Sequence, residues 1–232
     1  MTTPPLRLVS SRGAAAPRAL PLRRGLVCAG GGVTGAIYEI GVLAALEERL
    51  DGFTLADCDV FVGVSAGSYV GALVSSGVSP SVLYRNVTHP KASDIDQLSL
   101  FRPNLGEIVG RLVAGPLTLA ETLRELWRDH GEMTVTDLVA SFGALLPSGF
   151  FVLDGFEAWL EKWLSEEGRT NDFRALRKRL RVVAVELDTG ETRVFGEDGT
   201  GAVPISRAVA ASCALPGFFR PVRIDGVDYI DG

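Results

Sequence analysis

The sequence is short of the residues that several chemistries require. Its 232 residues include two histidines, His89 and His130, and three cysteines, Cys28, Cys58 and Cys213. The cysteines are isolated, odd in number and set beside apolar neighbours, which argues against a disulfide framework and a CxxC metal site and leaves them as reduced core thiols. Basic charge is scarce too. With 23 Lys and Arg against 28 Asp and Glu, the net charge is -5, so there is no positive field to gather phosphates and no nucleic-acid partner is expected. No apolar run approaches the roughly 20 residues of a spanning helix, because Gly, Asp, Glu or Arg interrupts each one. The first 24 residues hold four prolines and five arginines without the continuous apolar stretch of a secretory signal. They read as a flexible N-terminal tail on a cytoplasmic protein.

What the sequence does have suits one α/β domain over residues 25–232. Hydrophobic residues make up 47% and glycines number 27, enough to bury a full core. Gly25 to Ala29 reads as a buried parallel strand that the following glycines stop. Ile37, Ile40, Val42, Leu43 and Leu46 recur at helical spacing before Asp51-Gly52. Val60 to Val62 reads as a second strand, and Tyr69, Val70, Ala72, Leu73 and Val74 as a second helix. From about 79 to 167 the pattern is mostly helical, broken at Pro90, Pro103, Pro116 and Pro147, and strand-like runs are few. Arg181 to Leu187 and Thr192 to Phe195 form a hairpin around Asp188-Thr189-Gly190, Pro204 to Ala211 is a short helix starting on its proline, and Val222 to Ile224 pairs with Tyr229-Ile230 around Asp225-Gly226.

Two glycine-flanked segments can carry chemistry. Gly63-Val64-Ser65-Ala66-Gly67 is a G-x-S-x-G sequence after a strand and before a helix, the setting of a nucleophile elbow, where the serine Oγ is exposed at a helix N-terminus. The pattern alone also fits a small-residue turn with an N-cap serine. Gly30-Gly31-Gly32-Val33-Thr34-Gly35 can aim several backbone N–H groups at one anionic centre. It equally matches the dinucleotide pattern G-x-G-x-x-G, but the end of the second strand, Val62-Gly63-Val64-Ser65, lacks the acidic residue that a ribose requires. A serine nucleophile needs a proton acceptor, and no histidine follows His130 where a hydrolase triad would place one. An aspartate that reaches Oγ can act directly. Asp231 is the candidate, with Asp225 and Asp228 read as turn or surface carboxylates. A triad through His89 or His130 is a second reading, and a non-catalytic lipid- or nucleotide-binding module is a third.

Taken in order, Gly30 to Gly35, the Ser65 elbow and Asp231-Gly232 resemble the signatures of the patatin-like phospholipases of bacterial type. Further likeness lies in Gly41-Val42-Leu43-Ala44-Ala45-Leu46-Glu47-Glu48, in Leu187-Asp188-Thr189-Gly190-Glu191, and in Ser212-Cys213-Ala214-Leu215-Pro216-Gly217-Phe218-Phe219. The resemblance covers 25–76 and 180–232. It implies a three-layer α/β/α fold with a mainly parallel central sheet and a helical cap insertion at about 79–167. It also implies a lipid acyl hydrolase in which Ser65 is the nucleophile, Asp231 the base and Gly30, Gly31 and Gly32 the oxyanion hole. Gly35, Gly63 and Gly67 would support the elbow and loop. Such chemistry requires no metal or organic cofactor. The implied substrate is a phospholipid or other fatty acyl ester, met through peripheral contact with a membrane. Trp127, Phe142, Phe150, Phe151, Trp159 and Trp163 then line an apolar channel, touch the membrane or pack as core.

Two departures stand out. Thr34 occupies a position where family members commonly carry Arg or Lys. The chain also ends one residue after Asp231, where they continue through a glycine-rich turn. It therefore reads as a fragment, with a catalytically weak or inactive lipid-binding module as the alternative function.

Overall fold

The computed structural model describes residues 23–89, 102–107, 109–110, 148–197 and 199–232. Most of the expected N-terminal tail and of the helical insertion, with His130, Trp127 and Phe142, lies outside them. β1 (Gly25–Cys28) runs into a loop in which Gly31 and Gly32 take φ of 143° and 58°. Side chains are strained in that region, so these glycines let the chain leave the strand and enter α1 (Gly32–Arg49) at once. A short 3-10 turn at Leu55–Asp57, capped by the Thr54 hydroxyl, leads into β2 (Val60–Val64) and α2 (Ala66–Ser75). α3 (Pro80–Thr88) starts on a Ser79 cap, with Pro80 where a missing N–H costs nothing.

Within the span expected to be the insertion come β3 (Arg102–Pro103), β4 (Gly149–Val152) and α4 (Asp154–Leu164), and after it β5 (Arg179–Glu186) and β6 (Thr192–Phe195). α5 (Ile205–Ser212), β7 (Gly217–Phe219), β8 (Val222–Ile224) and β9 (Val227–Ile230) complete the described elements. Pro204 caps α5 and is not its first residue. The fold is α/β, but its six-stranded sheet is mixed: β1–β2 and β2–β5 are parallel, whereas β5–β6, β5–β9 and β8–β9 are antiparallel. A second, three-stranded sheet of β3, β4 and β7 corrects the expectation that the middle of the chain is poor in strands. Gly149-Phe150-Phe151-Val152 is a short apolar run with no period of its own, and its pairing with Gly217 to Phe219 makes it a strand.

The registers fix where strands end. Val182 and Val183 pair with β2 and also with β6, so those two strands lie on opposite edges of β5. Val185 pairs with Thr192 of β6 and with Ile230 of β9, which places β9 opposite β6 as well. β2 and β9 therefore share one edge of β5. β2 climbs it and stops at Val64 opposite Val183; β9 descends it and stops at Ile230 opposite Val185. The two strands meet head to head, and the residues after each end, Ser65 and Asp231, face one another.

Alternation along the strands puts Cys28, Phe61, Leu180, Val182 and Ala184 on the buried face of the sheet, while Val62, Val64, Val183 and Val185 on the other face stay half-buried. α1 packs on α2 and α3, α2 on α5, and α5 on α4, so these helices form one connected layer. A second helical layer is not among the described residues. Burying side chains such as Phe61, Val70, Leu180 and Val209 completely stabilises the fold by about 1.5–3 kcal/mol each. That packing holds the strand ends in place.

Candidate active site

Ser65 caps α2 with φ 53° and ψ -126°. Only Ser65 and Asp225 among the described non-glycine residues have positive φ, a conformation that costs on the order of 1–3 kcal/mol and persists only where the surroundings impose it. The surroundings are explicit. The Ser65 N–H donates to Ser212 Oγ at 2.8 Å, and the Ser65 carbonyl accepts from Ser68 N–H at 2.9 Å and Ser68 Oγ at 2.6 Å. The elbow also needs its two glycines. A Cβ on Gly63 would overlap the Gly67 carbonyl, and one on Gly67 would overlap the Cys28 carbonyl at the end of β1.

Ser65 Oγ donates to Asp231 Oδ2 at 2.7 Å. Asp231 is anchored through its N–H to the Ala214 carbonyl at 3.0 Å. Burial pushes the Asp231 carboxyl above its ordinary range, against the opposing hydrogen bonds from Ser65 and the Gly232 backbone. The result is an aspartate with raised proton affinity, in contact with a hydroxyl it can deprotonate.

The glycine loop lies against this pair. A Cβ on Gly30 would sit 3.2 Å from Ser65 Cβ and 3.7 Å from its Oγ, and one on Gly35 would sit 3.1 Å from the Gly30 carbonyl. Gly31 caps α1, and its carbonyl accepts from Gly35 N–H at 2.9 Å and from Thr34 Oγ1 at 3.1 Å. Thr34 thus closes the loop locally, as a short hydroxyl donor can, without bringing charge.

The other expected candidates fall elsewhere. Asp225 is an exposed turn residue and Asp228 pairs with Arg223 at 3.2 Å. His89 caps α3 and meets the Thr88 hydroxyl at 3.0 Å. Trp159 stacks on Phe156, and both lie against Tyr69, one turn after Ser65. Trp163 carries the Arg169 guanidinium 3.7 Å above its ring, and Phe151 packs on Phe218 and Phe219. These are packing roles; Phe150 is exposed. Cys213, beside Ser68, is pushed up to about 12 by burial, with the Asp231 charge adding and the Ser68 hydroxyl opposing. Among the described residues no group of three or more His, Cys, Asp or Glu is placed to hold a metal ion, and no helix is long and apolar enough to cross a membrane. Nothing local in the sequence assigns a role to Ser212, Ser68 or Ala214. The available signal for Ser212 was its place at the head of the family-like run Ser212 to Phe219, directly after Ala210-Ala211.

An α/β sheet that delivers a strained serine to a helix N-terminus, facing an aspartate and a glycine loop, defines a nucleophile-elbow architecture. The patatin-like phospholipase family model matches residues 26–232, and the chain belongs to that family. A relative, the uncharacterised protein YqhO of Bacillus subtilis, is 26% identical over 205 residues, which is 85% of this chain and 57% of YqhO. This chain therefore spans little more than half of that relative. Among solved structures, VipD from Legionella pneumophila is 20% identical with a TM-score of 0.46, covering 91% of this chain and 46% of VipD. ExoU of the Pseudomonas aeruginosa type III secretion system, in complex with SpcU, is 22% identical with a TM-score of 0.41, covering 82% of this chain and 38% of ExoU. Likenesses at that level carry no weight for function.

Proposed function

We propose that this chain is a lipid acyl hydrolase, of phospholipase A, lysophospholipase or carboxylic-ester type, working through a Ser65–Asp231 dyad in a hydrolase domain over 25–232. The observation that supports this most is the 2.7 Å bond from the Ser65 hydroxyl to Asp231 at a strained elbow. Strain of that kind persists only where the surroundings impose it, and it clusters at functional sites.

As Ser65 Oγ attacks the ester carbonyl carbon, Asp231 takes its proton. The carbonyl oxygen becomes an oxyanion beside Gly30, Gly31 and Gly32, whose N–H groups supply the donors. Collapse breaks the ester C–O bond, and the leaving alcohol takes the proton from Asp231. Asp231 then deprotonates a water that attacks the acyl-serine, the fatty acid leaves and Ser65 recovers its proton. No redox step occurs. The acid needs no histidine because it already touches the hydroxyl, and its raised proton affinity improves it as a base. We place the enzyme in the cytoplasm, where an acyl-ester substrate held in a bilayer would be met by peripheral contact with the membrane surface.

The test is covalent labelling with a fluorophosphonate, read by intact mass on the wild type, Ser65→Ala and Asp231→Ala. We expect one adduct on the wild type and none on either variant. An unlabelled, folded wild type would favour the lipid-binding module, and labelling that survives Ser65→Ala would exclude Ser65 as nucleophile.

A further inference from the structure

The head-to-head meeting of β2 and β9 leaves an unusual vacancy in the β5 ladder. In a parallel pair, alternate residues of one strand bond to the residues before and after their partner on the other. Arg179 N–H donates to the Asp59 carbonyl at 3.3 Å, so the bonding residues are the odd-numbered ones. With Val64 opposite Val183, the next rung would run from Ser65 N–H to the Val183 carbonyl. That rung is missing, because the chain turns away at Ser65 into its left-handed conformation. Ser212 Oγ stands in the gap. It accepts from Ser65 N–H at 2.8 Å and donates to the Val183 carbonyl at 2.5 Å.

We propose that Ser212 is a positioning residue for the nucleophile, its hydroxyl replacing the last β2–β5 rung so that Ser65 is held in its turned-out conformation. Both groups it joins are backbone groups at a buried site: Ser212 has no exposed surface and Ser65 is 7% exposed. Without the hydroxyl, each can be satisfied only if the elbow relaxes toward the straight strand, which would withdraw Oγ from Asp231. The same turn of chain holds the other member of the pair, since two residues on, the Ala214 carbonyl accepts from Asp231 N–H at 3.0 Å. The end of α5 thus sets the Ser65 to Asp231 separation from both sides. It also commits the Ser65 N–H to Ser212, so that the oxyanion donors have to come from elsewhere, such as the glycine loop.

This rests on Ser65 being the nucleophile, and the experiment separates the two ideas. Ser212→Ala and Ser212→Cys are compared with the wild type for hydrolysis of p-nitrophenyl butyrate and for hydrogen exchange of the Ser65 amide by NMR. The cysteine fills similar space but is a weak hydrogen-bonding partner, so it decides the matter if the alanine variant does not fold. Misplacement of a reacting group by about 1 Å costs about a hundredfold in rate, so we expect kcat lower by about that factor with KM nearly unchanged. We also expect faster exchange at Ser65 and unchanged exchange at Val182. A purely structural serine would lower the melting temperature and leave kcat alone. Retention of kcat, a loss confined to KM, or unchanged Ser65 exchange overturns the proposal. If the wild type shows no Ser65-dependent turnover, the hydrolase reading fails, and the exchange rates alone decide whether Ser212 holds the elbow.

Discussion

Asp231→Asn isolates proton transfer from every other feature of the site. Asparagine keeps the shape of the side chain and an oxygen that accepts from Ser65 Oγ at the 2.7 Å now occupied by Oδ2, but it does not take up the proton. A positioned general base contributes about a hundredfold to ten-thousandfold, which is about 3–5 kcal/mol of activation free energy. The fluorophosphonate labelling rate should fall by that factor. The pH profile supplies a second signature. The Asp231 carboxyl is raised above its ordinary 3.8, chiefly by burial, so wild-type labelling should decline as pH falls through a value above 3.8, and the variant should lack that limb. Stability moves the other way. The folded protein binds this proton more tightly than the unfolded chain, so the stabilising contribution is full below 3.8 and lost as pH rises through the raised folded value. At neutral pH the buried carboxylate is a liability, and Asp231→Asn should melt no lower than the wild type. A folded variant that labels within a few-fold of the wild-type rate, or that retains the acid limb, refutes the role of Asp231 as base.

Gly67→Ala drives a Cβ into the Cys28 carbonyl. Overpacking against backbone should cost about 3 kcal/mol or more, a melting-temperature drop of about 6–12 °C for a chain of this size; a drop under about 2 °C in a thermal scan would show that the elbow has slack. Cys28 and Cys213 are each pushed up to about 12, and Cys58 is raised as well, all chiefly by burial. Iodoacetamide at pH 8 should therefore leave the folded protein unmodified by intact mass while the urea-unfolded chain takes three adducts, since the thiolate is the reactive form. Thr34→Arg places a cation beside the glycine loop and should raise the rate on anionic esters several-fold relative to neutral ones, an advantage that added salt removes; an unchanged ratio in low salt excludes any electrostatic role for that position.

Much of the chain was legible because its signals are local. Val60 to Val64 precedes Gly63-Val64-Ser65-Ala66-Gly67, and a strand, a forced turn and a helix follow from side-chain period and glycine placement alone. The hairpin from Arg181 to Phe195 and the one around Asp225-Gly226 were equally readable from alternation and turn residues. The glycine loop showed itself because φ of 143° and 58° belongs to glycine. The small β3–β4–β7 sheet was not readable. Arg102-Pro103 and Gly217-Phe218-Phe219 are too short to carry a period, and they are strands only because Gly149 to Val152 lies between them. The mixed direction of the main sheet was hidden for a related reason, since whether β9 runs with or against β5 depends on where the chain re-enters the sheet.

The site shows the same division more sharply. Ser65 and Asp231 were each identifiable by type and neighbourhood, yet 166 residues separate them, and their contact is created only because β2 and β9 stop two residues apart on one edge of β5. A strand end is the place where a sheet can bring two side chains tip to tip, but it leaves backbone groups without rungs, and in a buried site those groups must be answered. Sequence patterns record the side chains that do chemistry and the glycines that permit turns. They do not record which hydroxyl will answer an interrupted ladder, because that need arises from two registers meeting. Ser212 is 147 residues from Ser65 and 29 from Val183, and on its own helix it is one small residue among alanines. The role we propose for it needs the registers and its two bonds together: with Val64 opposite Val183 and Ile230 opposite Val185, the β2 ladder stops one rung short, and the Ser212 hydroxyl binds both ends of that rung.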